Sequence, residues 1–478
     1  MSKSLFITAI ILCISSITLA QKQEAPPMQA IDKFIETQMR KQQIPGLSIA
    51  VVKDGKLLLT RGYGLADVEL NAPATPETVY QIQSITKTFT ASAIMMLLKE
   101  GKLSLDDSVS KYLDGTPDTW KDITIRRLLT HTSGIKDYIN EPYANLRIET
   151  TDEEVLRETA KRPLNFQPGE RYAYCNTGYL LLGMIIRKTS GDSYGEFLRK
   201  RIFEPLGMSN TRVVSWRDII PKRASGYLLQ DCKVARGEFI AESILSYPGG
   251  GLLSTVLDLA KYDAIWQSGQ LLDESIIRQM WTTAQLIDGS RTGYGLGWGV
   301  ADLRGFRMIQ HSGGHATGFA TKYALFPQRK LSVIVFTNQV NSSPDPIAQG
   351  IAGLVDEALT PPAMMKEKAE SDLKLLEKLV KAVTELAGDT KDDALLAAPL
   401  RKAVTPETKA MLSAAPPSAD AMKFLGSDDV AGKEITAYGV ATSQLRYYRM
   451  KNGDKLRYFK FYLTSDGKVA GLTCWDEK

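Results

Sequence analysis

The chain is poor in histidine and cysteine, and neither sign of charge dominates it. Its 478 residues include only three histidines (His131, His311 and His315) and four cysteines. No His-Glu-x-x-His or paired-cysteine spacing occurs, so neither a zinc site nor any other metal or cofactor is expected. Cys13 lies in an apolar N-terminal run, and the remaining Cys175, Cys232 and Cys474 are odd in number and widely spaced. That excludes a disulfide framework but leaves a single Cys232–Cys474 bridge open. Against 59 basic residues stand 54 acidic ones, and the net charge of +5 is spread along the chain. So mild an excess excludes a dedicated nucleic-acid binder. Beyond the N-terminus no apolar stretch is long enough to span a membrane. Internal repeats and low-complexity tracts are absent as well.

What is present reads as a soluble globular protein, with 44% hydrophobic and 24% charged residues and a length that suits two or three domains. The first twenty residues stand apart. Lys3 gives a positive start, Leu5 to Leu19 is nearly uninterrupted apolar sequence, and Thr18-Leu-Ala20 closes it with a small residue. This is the pattern of a secretory signal peptide cut after Ala20, and the run is shorter than the roughly 20 residues of a membrane span. Cys13 sits inside the run and not at the cleavage point, so a lipid-modified N-terminus is not expected. The mature chain is therefore expected to be secreted or periplasmic.

Ile31, Phe34, Ile35 and Met39 recur at helical spacing before Pro45-Gly46. Leu47–Val52 and Lys56–Thr60 then flank Lys53-Asp-Gly55, a hairpin with an Asp-Gly turn. Residues from about 85 to 290 are mostly helical in pattern. Strand patterns return at Tyr323–Phe326 and Leu331–Thr337, followed by a helix with Ile347, Ile351, Leu354, Val355 and Leu359 on one face. Thr360-Pro-Pro362 reads as a linker. Beyond it come a helix marked by Leu373, Leu376, Val380, Val383 and Ala387, a break at Pro416-Pro417, and a hairpin of Gln444–Met450 and Lys455–Leu463 around Asn452-Gly453. The expected architecture is α/β (α+β). An antiparallel sheet flanked by helices carries a large helical insertion over residues 21–362, and a small α+β domain with antiparallel hairpins follows over 363–478, with a groove where sheet and helical insertion meet.

Three short strings carry chemistry: Ser84-Ile-Thr-Lys87, Tyr174-Cys-Asn176 and His311-Ser-Gly313, the last followed by Gly314. Ser-x-x-Lys also occurs at Ser108, Ser133, Ser371 and Ser465, and Tyr-x-Asn at Tyr138 and Tyr143, so context must choose. Ser84 follows the strand-like Val79–Ile82 and opens a helical segment that stops at Gly101. A serine there places its oxygen and its own N–H where positive partial charge collects, which favours an oxyanion. Lys87 lies one turn on, on the same face, and burial lowers an amine's pKa toward that of a general base. Tyr174 and Asn176 fall on a loop ahead of an apolar helix. The phenol could relay a proton to the leaving group, and the amide could hold the substrate or Lys87. His311-Ser-Gly-Gly follows the strand-like Gly305–Gln310. Its glycines would let a substrate lie against the strand edge and leave the Gly314 N–H as a second oxyanion donor. Gly191-Asp-Ser193-Tyr-Gly195 matches a nucleophile elbow but lacks the strand such an elbow needs. Ser193 with Glu196 reads better as a helix cap.

Together with Leu128-Leu-Thr-His-Thr-Ser-Gly134, Pro168-Gly-Glu170, Gly249-Gly-Gly-Leu-Leu-Ser-Thr255 and Tyr294-Gly-Leu-Gly-Trp298, these strings resemble the serine β-lactamase and penicillin-binding-protein superfamily. Within it they are similar to the class C β-lactamase-like branch of esterases, D-aminopeptidases and DD-peptidases. The resemblance covers about residues 31 to 360. It implies a ping-pong serine hydrolase in which Ser84 is acylated, Lys87 and Tyr174 manage protons, Asn176, His311 and Gly313 bind substrate, and the N–H groups of Ser84 and Gly314 hold the oxyanion. His131 looks structural in such proteins. The branch's true β-lactamases usually carry lysine where this chain has His311, and histidine offers a weaker, pH-dependent cation. That favours esters, small amides or D-amino-acid peptides over β-lactam hydrolysis or DD-carboxypeptidase activity. A rival of another class is a catalytically idle relative that binds cell-wall peptide or protein, but the completeness of all three strings favours an enzyme acting on a small-molecule or short peptide substrate. In the tail, six basic residues interleave with aromatics over Gln444–Leu463. Such a string arises in any half-buried sheet, aromatic inside and basic outside.

Overall fold

The computed structural model describes residues 28–139, 145–388, 394–433 and 435–477. The expected leader at 1–20 and the tyrosine at 143 lie outside the described residues. Helices α1 (Met28–Gln42), α2 (Thr86–Lys99), α3 (Asn176–Ser190), α4 (Val256–Ser268), α5 (Pro344–Val355) and α6 (Leu373–Ala387) combine with two principal sheets. The larger sheet contains β1 (Gly46–Lys53), β2 (Lys56–Asp67), β3 (Ala72–Pro73), β4 (Gly299–Leu303), β5 (Phe306–His315), β6 (Phe319–Phe326) and β7 (Leu331–Thr337). Its order is β3-β2-β1-β7-β6-β5-β4, with every neighbouring pair antiparallel. The β1–β2 hairpin turns through Asp54 (φ 50°) and Gly55 (φ 75°), the two left-handed residues that an Asp-Gly turn supplies.

Side-chain alternation splits this sheet between two cores. Leu47, Ile49 and Val51 of β1 and Val333 and Val335 of β7 pack under Ile31 and Ile35 of α1 and Ile347 and Ile351 of α5. Ala50, Ile334, Phe336 and Tyr323 face the other way, onto Phe89 and Ile94 of α2 and Leu259 and Tyr262 of α4. The chain between β3 and β4 supplies that second layer. It is not purely helical: Tyr80–Gln81 and Arg212–Val213 pair with Leu252–Ser254 in a small sheet of its own. These strands are too short for any alternation to register in sequence.

Two sequence expectations are corrected. His311–Gly314 do not follow a strand but lie inside β5, in ladder with β6 from Ile309↔Leu325 to His315↔Phe319. Leu359 does not continue α5, which ends at Val355. Asp356 caps a short 3-10 turn that buries Leu359 separately.

The tail forms a second antiparallel sheet of β8 (Lys423–Asp429), β9 (Gln444–Asn452), β10 (Lys455–Leu463) and β11 (Val469–Asp476), in that order. Leu376, Leu379, Val383 and Leu386 of α6 close its core against Tyr448, Phe459 and Phe461. Its basic residues are largely engaged. Arg446 pairs with Glu370, Arg449 with Glu367, Arg457 with Asp476 and Lys460 with Asp302. The last pair crosses to β4, and Arg304, at the β4–β5 turn, donates two hydrogen bonds of 2.6 Å to Asp428 of β8. The tail thus grips the far end of the hairpin whose second strand is β5. Cys175, Cys232 and Cys474 are free thiols, and no described helix is long and apolar enough to cross a membrane.

Candidate active site

Ser84 sits in the single 3-10 turn Gln83–Ile85 that leads into α2. Gln83 has a left-handed backbone (φ 51°), a conformation that costs a non-glycine residue about 1–3 kcal/mol and persists only where its surroundings enforce it. Here they do: the buried Gln83 amide donates to Gln81 Oε1 and to Thr317 Oγ1, both at 2.9 Å. The turn carrying the serine is thereby tied to the loop beyond β5.

Lys87 is fully buried, and its Nζ lies 3.1 Å from Ser84 Oγ, 2.9 Å from Asn176 Oδ1 and 2.6 Å from the carbonyl oxygen of Gly249. The rings of Tyr174, Tyr179 and Tyr247 surround it at 4.7, 5.3 and 5.8 Å. None of its hydrogen-bond partners is a carboxylate. Burial pulls its pKa from 10.5 to about 7, with the charge of Asp137 opposing the drop. Gly249 must be glycine, since a Cβ there would come within 2.3 Å of the Tyr247 ring.

Tyr174 precedes α3, as the sequence implied. Burial raises its phenol well above 10, a hydrogen bond with Ser84 opposing, so the hydroxyl stays protonated near neutrality. Asn176 turns inward. Its Oδ1 accepts from Lys87 and from Tyr247 Oη, while its backbone N–H and its Nδ2 both donate to Asp137 at 3.0 Å. Of the two roles open to it in sequence, this arrangement is the one that holds Lys87. Asp137 was missed by sequence reasoning, although it follows the Leu128–Gly134 string by three residues.

His311 and Gly313 both line the cleft over the serine, and each is also packed into its surroundings. His311 is buried, shares a hydrogen bond of 2.8 Å with Tyr294 Oη, and points Nδ1 at the Ser312 carbonyl. Burial, and then the nearby Lys87, pull its pKa down to about 3, so it is a neutral ring and not the pH-dependent cation anticipated. Gly313 packs onto the nucleophile turn, where a Cβ would lie 2.4 Å from the Ile82 carbonyl and from Thr321 Oγ1. Gly314, opposite Ala320, is less confined: a Cβ there would make one ordinary 3.8 Å contact, with the Phe319 carbonyl oxygen. A further cation stands nearby but is engaged. Lys322 is 1% exposed, pairs with Asp345 at the start of α5, and donates to Ser312 Oγ and Gln310 Oε1.

A cleft of about 860 Å³ opens over these groups, lined by Ser84, Tyr172, Tyr174, His311, Gly314 and Asp345 among others. Among the described residues, its lining contains neither lysine nor arginine. Ser193 lies elsewhere, its Oγ capping a short helix by accepting from the Glu196 N–H. No cluster of metal-ligating side chains occurs among the described residues.

A serine opening a buried helix, a lysine one turn on and a Tyr-x-Asn loop facing both define the class, and comparison with known proteins agrees. Residues 31–355 match the beta-lactamase family, and the chain belongs to it. It is 32% identical over 321 residues to protein flp of Staphylococcus aureus, a match covering 65% of this chain and 63% of flp. The chain therefore spans less than two thirds of the length of that relative. Among solved structures it is similar to the octameric penicillin-binding protein homologue of Pyrococcus abyssi, at 27% identity and a TM-score of 0.62, covering 94% of this chain and 90% of the other. It also resembles a D-stereospecific amidohydrolase from Streptomyces, at 26% identity and a TM-score of 0.58, covering 68% of this chain and 98% of the other.

Proposed function

We propose that this chain is an exported serine hydrolase that forms an acyl-enzyme on Ser84 and acts on esters or small amides, including D-amino-acid peptides. The observation that carries the reading is the environment of Lys87. A neutral amine has two N–H donors and one lone pair. The carbonyl oxygens of Asn176 and Gly249 accept the two N–H groups, which leaves the lone pair toward Ser84 Oγ. In that state the serine hydroxyl donates to Lys87 and is activated for attack. With a pKa of about 7, a large share of the lysine is in this form at neutral pH.

Attack on a carbonyl would transfer the serine proton to Lys87 and build an oxyanion held by the N–H groups of Ser84 and Gly314. Tyr174, kept as a neutral phenol, hands a proton to the departing alcohol or amine. Water then enters and releases the acyl group by the reverse sequence.

The cleft favours substrates without a carboxylate to be recognised. His311 is neutral, Lys322 is committed to Asp345, and Asp345 itself lines the cleft. This ranks esters and amides, the latter as in the Streptomyces amidohydrolase, ahead of β-lactams and carboxylate-terminated peptides. The test is to expose the protein and a Ser84→Ala variant to a fluorophosphonate probe and locate the adduct by mass spectrometry. Labelling of wild type at Ser84 alone is expected. No label, or a label at Ser193, would sink the reading.

A further inference from the structure

Tyr174 is held by one residue to which the proposed mechanism gives no part. The N–H groups on either side of it both donate to His131: Ala173 N–H to the His131 carbonyl at 2.9 Å, and Cys175 N–H to His131 Nδ1 at 3.0 Å. Between these two bonds the imidazole lies against the Tyr174 ring, with centroids 4.2 Å apart. Because Nδ1 accepts, the ring is neutral and its proton is on Nε2. Nε2 is buried and has no hydrogen-bond partner among the described residues. The rings of Tyr294 and Tyr179 stand 4.8 and 5.1 Å from the imidazole.

Two features argue that this is a built clamp and not incidental packing. His131 itself occupies the left-handed region (φ 57°), a strained backbone that turns its carbonyl and its side chain toward the same segment. It is also fully enclosed, at 1% exposure. A smaller aliphatic residue would fill part of this space but would leave the Cys175 N–H without an acceptor just before α3.

We propose that His131 is a positioning residue that fixes the Tyr174 phenol relative to Ser84, so that its loss impairs proton delivery to the leaving group and spares steps that need no such delivery. This inference rests on the proposed serine hydrolase reading.

The leaving group separates such a role from a merely structural one. A p-nitrophenyl ester departs as a stable anion, whereas an anilide of the same acyl group must be protonated as it leaves. Two variants are compared with wild type by kcat/KM on both substrates. His131→Gly accepts the positive φ but loses ring and acceptor, and His131→Asn accepts the φ and restores an acceptor near the Nδ1 position. His131→Gly is expected to lose about 10²-fold on the anilide and roughly threefold or less on the ester, with Asn recovering most of the anilide loss. Combined with Tyr174→Phe, His131→Gly should add little further loss on the anilide.

Equal losses on both substrates in the folded Asn variant, or full additivity with Tyr174→Phe, would overturn the inference while leaving the hydrolase reading intact. A wild-type protein that turns over neither substrate and takes no fluorophosphonate label would overturn both.

Discussion

Lys87 and Lys460 are both buried lysines, one under the cleft and one at the seam between the tail and the larger sheet, yet their surroundings drive them in opposite directions. Around Lys87 the contacts are an amide oxygen, a backbone carbonyl, a hydroxyl and three aromatic faces, and burial takes its pKa down to about 7. Burial acts on Lys460 too, but Asp302 and Tyr462 outweigh it, and the net shift is upward. The same side chain at similar depth is a proton acceptor in one place and a permanent cation in the other. Between these two lysines, the difference is a carboxylate contact that outweighs burial at Lys460 and is lacking at Lys87.

The comparison breaks most visibly when either lysine loses its amine. Lys87→Met keeps the volume and removes the base, and ester turnover should fall by about 10⁴-fold in a kcat/KM assay. Lys460→Met leaves the half-buried Asp302 with only the Tyr462 hydroxyl and should destabilise the seam by about 2–3 kcal/mol in a denaturant titration. Pairing it with Asp302→Asn should recover most of that loss. If the double variant is as unstable as the single one, the seam is held by something other than charge.

The wild-type pH profile tests the cleft side directly. The neutral amine is the working form, so kcat/KM should climb as pH rises through about 7 and be lost below it. Asp137→Asn removes the charge that props up the lysine's pKa, and this acid limb should move to lower pH, by about one pH unit. A move to higher pH would contradict the electrostatic assignment. The smallest effect is expected from Arg304→Lys, which keeps the charge opposite Asp428 but gives up the two-pronged geometry, at a cost of about 1 kcal/mol in the same titration.

Local chemistry was legible in sequence wherever neighbours along the chain decide it. The Asp54-Gly55 turn, the helix from Met28, and Ser84 with Lys87 one turn apart at a helix start follow from periodicity and turn residues alone. Long-range pairing was not. Nothing near Asp302 announces Lys460, 158 positions away. The left-handed backbones of Gln83 and His131 were equally silent, because strain of that kind is enforced by groups such as Thr317 that arrive from elsewhere in the chain. Asn176 was legible as a residue of the site, but which of its two roles it takes depends on Asp137 and Tyr247.

Every residue of α2 from Thr86 to Leu97 is buried, so the helix bearing Lys87 presents almost no surface to water. Amide protons in its middle turns can exchange with deuterated solvent only when the layers on both sides separate, which ties their protection to opening of the core around the larger sheet. The base should therefore be among the last parts of the molecule to loosen. Warming or mild denaturant should loosen exposed segments at the cleft's rim before the helix beneath them.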